Sequence, residues 1–504
     1  MPNILRQFGK NILTGGASLA VRMVLVFLVT PLLIHTLGND LYGVWVLIFS
    51  IINYMTICDF GLQQALVRFI SKFLGLNDYQ KINSVLNTAF SVYALVGMLV
   101  IAMAGILSLF VMEKFHIPAQ YLTDGRTALF IIGLNTALNL ILFSWGGSLG
   151  AFHRYDIANG IAIVEDIVRT IAIVVMLKSG YSIVALSLVF LIFSFFRLTT
   201  AAVFLKKLHP AIRLNFRLIN RETLRMLYGY SSISFLISVA WLFIASTDNV
   251  IIGYFLDTAS IAKYAIAIGF VVALRSLIHT VTIPLQPLIS HYDTIKAKDT
   301  ITSIYTKATT YLYFLTFAVA GGTLIFADPM IKLWIGSGYE SSATLLKILI
   351  VPAAIYLPSA IGEAILYGIE RHKNFLHIIL VEGVLNLSLS LLLVQKYGMY
   401  GVAYGTIMAQ VIVYLFIMPW ILRPILGFAL IPYYFSIMKA TILAFGASIS
   451  LSYLCRLILS PVKWRYFFVE IIAVALLIVL LGYFLIDKED LRRKGFIRAK
   501  GYES

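Results

Sequence analysis

The stretch LKSGYSIVA at Leu177–Ala185 is echoed 218 residues later by QKYGMYGVA at Gln395–Ala403. Four positions are identical at this offset, and they include a lysine and a glycine at the predicted junction of two helices. Upstream, Gly150–Arg154 aligns with Gly368–His372 at the same offset. The chain therefore contains two related halves, and each half is a run of six apolar segments of membrane-spanning length.

This duplication predicts the architecture. Because six is an even number, both copies enter the membrane from the same side, and the repeat is parallel about an axis along the membrane normal. Two such copies are typical of a two-lobed secondary transporter. We therefore expect an all-α polytopic membrane protein with about fourteen transmembrane helices, in two six-helix lobes followed by two C-terminal helices.

The composition also indicates a membrane protein. Hydrophobic residues make up 60% of the chain and charged residues only 12%, so lipid must be the solvent for most of its surface. Segments that cross a hydrocarbon core satisfy their backbone groups internally, which favours helices. The two cysteines, Cys58 and Cys455, lie inside apolar segments and are interpreted as small buried side chains.

The distribution of basic residues predicts the orientation. The predicted spans cover residues 12–37, 41–67, 84–112, 126–150, 157–178, 181–205, 227–256, 259–290, 303–327, 343–369, 374–395, 401–422, 432–455 and 464–486. The side of the membrane that holds the N-terminus collects 23 of the 39 Lys and Arg residues, and the other side collects 8. This bias predicts that both termini are cytoplasmic, and it accounts for the net charge of +16 without nucleic acid.

Four regions follow from the repeat. Residues 1–208 are predicted to form the N-terminal six-helix lobe, and residues 226–424 the C-terminal lobe. Residues 209–225 form a basic cytoplasmic linker, interpreted either as an amphipathic segment on the headgroups or as a solvated connector. Residues 425–504 hold two extra helices and a basic cytoplasmic tail.

Several motifs resemble those of a known family. The stretches Thr36–Trp45 and Asp59–Leu62, with Arg68 after them, resemble the start of bacterial polysaccharide-export flippases of the O-antigen type. The run Thr247–Phe255 is similar to the entry into the second lobe of the same proteins. These flippases belong to the multidrug/oligosaccharidyl-lipid/polysaccharide flippase superfamily.

The resemblance implies a function. It implies that the chain translocates undecaprenyl-pyrophosphate-linked oligosaccharide repeat units across the bacterial inner membrane by alternating access, in lipopolysaccharide or other polysaccharide biosynthesis. It also implies a lipid-linked oligosaccharide and membrane lipids as binding partners, with a polysaccharide polymerase and chain-length machinery as further partners. Nucleic acid is not expected as a partner.

Charges inside spans are the candidate site residues, because each is costly in lipid. Arg22 lies near the middle of span 1 and Arg275 near the middle of span 8. Guanidinium binds phosphate oxygens in pairs, so both are predicted ligands of a pyrophosphate headgroup, and the resemblance implies arginines on these two helices. Arg68 and Arg197 are further substrate-binding candidates. The alternative is that Arg22 and Arg275 each pair with a carboxylate and only fix helix packing.

Acidic residues in the spans are candidates for ion coupling. Asp59 is expected to pair with Arg22 when the site is empty and to bind a proton or cation at another step of transport, and a structural ion pair is the alternative. The same coupling role is considered for Asp248, with a structural hydrogen-bond anchor as the alternative. Glu165 shares a helix face with Arg169, which favours an internal ion pair. Asp166 is then left as the likelier cavity residue, with Arg197 available to neutralise it.

The sequence lacks a GxxxxGK[ST] loop and any Cys/His metal cluster, so we expect no ATP hydrolysis, no metal and no cofactor. A gradient of H⁺ or Na⁺ is the predicted driving force. Three alternatives stay open: a multidrug or cation exporter of the same fold, a membrane enzyme of glycan assembly, and a non-transporting scaffold. The short non-cytoplasmic loops disfavour the enzyme.

Overall fold

A computed structural model describes residues 2–282, 284–458 and 464–485. Within these ranges the chain is helical and contains no strand. The first nine α-helices are α1 Pro2–Met55, α2 Leu62–Gly75, α3 Tyr79–Ile106, α4 Ala119–Phe143, α5 Tyr155–Lys178, α6 Ile183–Leu208, α7 Arg221–Phe255, α8 Thr258–Thr282 and α9 Leu285–Thr294. The others are α10 Lys298–Trp334, α11 Glu340–Tyr356, α12 Ala360–Gly368, α13 His372–Tyr397, α14 Met399–Gln410, α15 Met418–Leu426, α16 Leu430–Ile458 and α17 Trp464–Leu485.

Eleven helical segments in the described part of the chain are long and apolar enough to cross a membrane. The fourteen predicted spans are compatible with these eleven. Span 1 and the first part of span 2 are two helices within α1 that meet at a kink at Gly38, where φ is 75° and only glycine fits easily. Span 5 is α5, which carries three charges near its centre, and span 14 contains the shorter apolar run Phe467–Leu476. The predicted fold class is confirmed.

Several spans are interrupted where the sequence contains helix-breaking residues. Span 2 passes through a 3₁₀ turn at Thr56–Asp59, then through left-handed Phe60 and Gly61, before α2 begins. Pro284 stands between α8 and α9, and a 3₁₀ turn that contains Pro358 separates α11 from α12. Proline removes a backbone donor and clashes with the preceding turn, so these breaks have a local cause.

The backbone repeats the duplication found in the sequence. Left-handed residues occur in pairs at Asn77 and Lys296, at His153 and Glu370, and at Gly180 and Gly398, which are 219, 217 and 218 residues apart. Such conformations are uncommon outside glycine. Their recurrence at one offset shows that both halves turn at equivalent points between helices.

The chain divides into two compact units. The first contains residues 1–269 and 372–409, and the second contains residues 270–371 and 410–504. These units are defined by contacts within them, so the predicted domain boundaries, which rest on the repeat, stay a prediction. The predicted basic tail lies outside the described residues.

In the first unit α1 packs against α4, α5 and α7, and α7 packs against α13. Polar side chains of α1 and α7 face each other at three successive pairs: Ser50 with Asn249 at 3.0 Å, Asn53 with Ser246 at 3.3 Å, and Tyr54 with Thr247 at 2.7 Å. These hydrogen bonds fix the register of span 2 against span 7.

In the second unit α10 is the central helix and packs against α11 and α16. The hydroxyl of Thr316 donates to the carbonyl of Ala354 at 2.9 Å, and that of Ser448 donates to the carbonyl of Ala318 at 2.6 Å. Such bonds tie neighbouring helices together where lipid offers no competing partner.

The close approach of α1 to α8 depends on Gly43, where an added Cβ would lie 1.8 Å from the carbonyl oxygen of Thr258. We predict that Gly43→Ala lowers the free energy of unfolding by about 1–3 kcal/mol, because backbone must move to relieve the overlap. Gly160→Ala on α5, where nothing lies within 4 Å, is the matched control. It should be neutral or stabilising, because alanine favours helix by about 1 kcal/mol. Thermal unfolding in detergent measures both, and equal midpoints for the two variants would contradict the prediction.

Candidate functional site

Five ionisable side chains from α1, α5 and α6 meet inside the first unit, and we call them the charged cluster: Arg22, Glu165, Asp166, Arg169 and Arg197. Arg169 is its centre. Its Nη1 lies 2.6 Å from Oε1 of Glu165, and its Nη2 contacts Asp166. The spacings of four and three residues place both carboxylates on the face of α5 that carries Arg169. The predicted pair of Glu165 and Arg169 is present.

Two further arginines reach the same carboxylates from other helices. Nη2 of Arg22, on α1, lies 3.3 Å from Oδ2 of Asp166. Nη1 of Arg197, on α6, lies 3.9 Å from Oε2 of Glu165, and its Nη2 donates to Asn139 at 3.1 Å. The expectation that Arg197 neutralises Asp166 is wrong, because Arg169 and Arg22 contact this carboxylate instead. Arg197 faces Glu165 rather than Asp166.

The members of the charged cluster differ in exposure. The side chains of Glu165 and Asp166 are 5% and 4% exposed, whereas that of Arg22 is 56% exposed. Three guanidinium groups surround two carboxylates, so the charged cluster has a surplus of one positive charge. Arg22 is the most exposed of the three guanidinium groups, since those of Arg169 and Arg197 are 19% and 31% exposed.

Two cavities adjoin the charged cluster. One of about 150 Å³ is lined by Arg22, Asp166 and Arg169 together with apolar side chains of α1. Another of about 380 Å³ is lined by Arg197 and by polar groups that include Gln63 and Asn139. The guanidinium of Arg169 also lies 4.8 Å from the ring centre of Phe190, which holds it by a cation–π contact.

Asp59 lies at the break in span 2, away from its predicted partner. The hydroxyl of Tyr93 donates to Oδ1 of Asp59 at 2.7 Å, and the backbone N–H of Gln63 donates to it at 3.3 Å. Arg22 contacts Asp166 instead, so the expected pair of Asp59 and Arg22 is not present in this structure. Asp59 acts here as a cap for the start of α2.

Asp248 is buried between α7, α8 and α14. Its Oδ2 accepts hydrogen bonds from Tyr264 at 2.7 Å and from Thr406 at 3.1 Å, and no cation of the described residues pairs with it. The side-chain amide of Asn386 donates to Thr406 at 2.9 Å. Oδ1 of Asp248 and the side-chain oxygen of Asn386 are both buried without a hydrogen bond in the described part of the chain. A buried carboxylate with one unsatisfied oxygen, linked through Thr406 to an amide with another, has the chemistry of a proton or cation site.

The remaining candidates lie elsewhere. Arg275 is half-buried on α8 in the second unit, and its charge interacts with Glu363 and His279. Arg68 is exposed on α2. Sequence reasoning missed Asn386 and Thr406, because neutral polar side chains give no signal in an apolar helix.

A multi-pass helical bundle with ionised groups held at the depth of its spans is the architecture of an integral membrane protein. The sequence matches the family described as Polysaccharide biosynthesis protein over residues 33–344, which is more than half of the chain. The chain belongs to that family.

Two curated proteins are similar in sequence to this chain. The membrane protein EpsK of Bacillus subtilis (strain 168) is 23% identical over 406 residues, which are 78% of this chain and 79% of EpsK. Agl15 of Haloferax volcanii, named a probable low-salt glycan biosynthesis flippase, is 24% identical over 182 residues, which are 36% of this chain and 39% of Agl15.

Solved structures share the fold. The lipid II flippase MurJ, in an inward closed conformation, matches with a TM-score of 0.73 and 15% identity, over 94% of this chain and 98% of MurJ. An inward-facing multidrug resistance MATE family transporter of the MOP superfamily matches with a TM-score of 0.65 and 14% identity, over 81% of this chain and 98% of the transporter. The match over residues 33–344 confirms the polysaccharide biosynthesis family predicted from the motifs, and these solved structures show the fold.

We predict that Arg169 and Arg22 contribute very differently to stability. Arg169→Met leaves two buried carboxylates with incomplete compensation and should lower the free energy of unfolding by about 3–5 kcal/mol. Arg22→Gln should change it little, because Arg22 is exposed and Asp166 keeps Arg169. Thermal unfolding in detergent measures both.

The control removes the two buried carboxylates as well. Adding Glu165→Gln and Asp166→Asn to Arg169→Met leaves only the more exposed guanidinium groups of Arg22 and Arg197, and should recover part of the lost stability. If the triple variant unfolds as readily as Arg169→Met, the loss comes from packing and not from charge.

Proposed function

We propose that this protein is a flippase that moves an undecaprenyl-pyrophosphate-linked oligosaccharide across the bacterial inner membrane, with both termini in the cytoplasm. Membership of a polysaccharide biosynthesis family and a fold shared with flippases and exporters support a lipid-linked substrate. The 23 basic residues on the N-terminal side support the orientation.

The observation that carries the proposal is the exposed guanidinium of Arg22, which shares its acid partner with Arg169. Because Asp166 keeps its contact with Arg169, Arg22 can turn toward a ligand without leaving a buried carboxylate alone. A pyrophosphate needs permanent positive charge and paired donors, and an arginine held at one edge supplies both. Arg275 on α8 and Arg197 in the adjoining cavity remain further proposed ligands, as does Arg68.

The surplus charge disfavours the alternative of a cation exporter. A cationic substrate beside Arg22 and Arg169 would meet repulsion in a medium of low dielectric constant, where it is strongest. An anionic headgroup is attracted by the same charges. The charged cluster therefore favours a phosphorylated substrate over a multidrug cation.

Asp248 is the proposed coupling residue. Its unpartnered Oδ1 and that of Asn386 offer oxygens to H⁺ or Na⁺, and the enclosed position makes an uncompensated negative charge costly. Binding of the ion relieves that cost, so occupancy responds to the gradient. Asp59, Glu165 and Asp166 are held by other partners and are weaker candidates.

The first experiment measures headgroup binding through transport. In liposomes loaded with a polyprenyl-pyrophosphate oligosaccharide, Arg22→Gln should slow exposure of the sugar to an external glycosidase by tenfold or more, since bonds to charged groups contribute about 1.5–3 kcal/mol. Arg22→Lys should recover only part of the rate, because an ammonium cannot donate in pairs. Arg126→Gln, which removes an arginine paired with Glu113, is the control and should keep the rate. A wild-type rate for Arg22→Gln contradicts the assignment.

The second experiment tests coupling. Wild-type liposomes should flip faster under an imposed gradient of Na⁺ or H⁺, and Asp248→Asn should remove that response while a slow downhill rate remains. Asp257→Asn, at an exposed loop carboxylate that caps Ser260, is the matched control and should keep the response. A gradient response that persists in Asp248→Asn excludes Asp248 from coupling.

A further inference from the structure

A second positively charged cavity lies at the ends of the helices that are predicted to face the cytoplasm. It has a volume of about 810 Å³ and is enclosed by the α2–α3 connection, the linker and the start of α7. Four cationic side chains line it: Lys72, Lys81, Arg217 and Arg221. The two acidic side chains in its wall are Asp78 and Glu222.

The acids do not neutralise this cavity. Asp78 caps α3 by accepting from the backbone N–H of Lys81 at 3.0 Å, and its other oxygen lies 3.5 Å from the Lys81 ammonium. Lys72, Arg217 and Arg221 form no ion pair with any described residue, and only Glu222 opposes them. The cavity therefore carries two uncompensated positive charges.

The linker that supplies Arg217 is fixed in place by α3. The side chain of Asn83 donates to the carbonyl of Ala211 at 2.9 Å and accepts from the N–H of Arg213 at 2.7 Å. One turn later, Asn87 donates to the carbonyl of Arg213 at 2.9 Å and accepts from the N–H of Asn215 at 2.8 Å. Two asparagines thus hold the linker backbone as a neighbouring strand would, so the backbone leading to Arg217 is fixed against α3.

Apolar side chains stand beside these charges. Leu214, Phe216 and Ile219 of the linker are 56%, 58% and 45% exposed, and Leu76 in the α2–α3 connection is 65% exposed. Exposed apolar groups next to basic groups are the signature of a segment that lies in the headgroup region, with its apolar side chains toward the acyl chains. These exposures favour the interpretation of the linker as an amphipathic segment at the membrane interface.

We infer that this cavity is a binding site for the phosphate group of an anionic phospholipid of the cytoplasmic leaflet. Guanidinium groups from Arg217 and Arg221 supply paired donors to phosphate oxygens, and the start of α7 adds the positive end of a helix dipole. The acyl chains of such a lipid extend along the exposed apolar side chains, which a soluble phosphate would leave uncovered. The bound lipid joins the linker to α2 and α3 and stabilises the first unit.

The test is lipid binding by the purified full-length protein. Native mass spectrometry in detergent should detect phosphatidylglycerol bound to the wild type more tightly than phosphatidylcholine. The double variant R217Q/R221Q should weaken phosphatidylglycerol binding by roughly tenfold or more, since it removes two charged donors. Its thermal midpoint without lipid should equal that of the wild type, and the rise in midpoint that phosphatidylglycerol produces should be lost.

The matched control is R213Q/R225Q, which removes the same charge from exposed positions of the same segment outside the cavity. This control should bind phosphatidylglycerol as the wild type does. Equal losses in the two double variants would show a diffuse attraction to basic charge and overturn the site. Displacement of the lipid by millimolar inorganic phosphate or pyrophosphate would show a soluble-anion site and overturn the lipid assignment. Neither result depends on transport, so this test and the test of the proposed flippase activity can fail independently of each other.

Discussion

Arg169 contacts both carboxylates of the charged cluster, and the roles of the other charges in α1, α5 and α6 follow from that contact. An ionised carboxylate in the interior of a membrane protein is costly unless a cation and hydrogen bonds compensate it. One central guanidinium between Glu165 and Asp166 meets most of this requirement within a single helix. The arginines of α1 and α6 then bind at the periphery, where they can be exposed without leaving an acid alone.

This arrangement separates stability from binding. Arg169 is mostly buried and packs on the ring of Phe190, as expected of a residue that stabilises the fold. Arg22 is more than half exposed and shares the carboxylate of Asp166 with Arg169, as expected of a residue that can change its binding partner. A site that binds a phosphorylated headgroup needs both kinds of arginine, because a ligand residue that also neutralised a buried acid would destabilise the protein whenever it moved.

Much of the fold could be predicted from the sequence because spanning helices are specified locally. Hydropathy locates the spans, and glycine and proline locate their breaks, as at Gly38 and Pro284. The pair of Glu165 and Arg169 is equally local, since its spacing lies on one helix face. Contacts across helices were not predictable in this way: Tyr93 holds Asp59, and Arg22 selects Asp166 at a separation of 144 residues. Several arginines lie at a membrane depth similar to that of each carboxylate, and only tertiary packing decides which of them contacts it.

The duplication distinguishes the residues that the helices need for packing from those that belong to the candidate site. Both halves turn at left-handed residues about 218 positions apart, so corresponding helices can be compared. At that offset Asp166 corresponds to Val384, Arg169 to Leu387 and Arg197 to Leu415. The second copy forms its helices with apolar side chains at these three positions, so its helices do not need charges there for packing. Because buried ion pairs are often no more stabilising than apolar side chains of similar size, the first copy gains little stability from them. The presence of these three charges in only one copy is consistent with the proposal that this half binds a ligand.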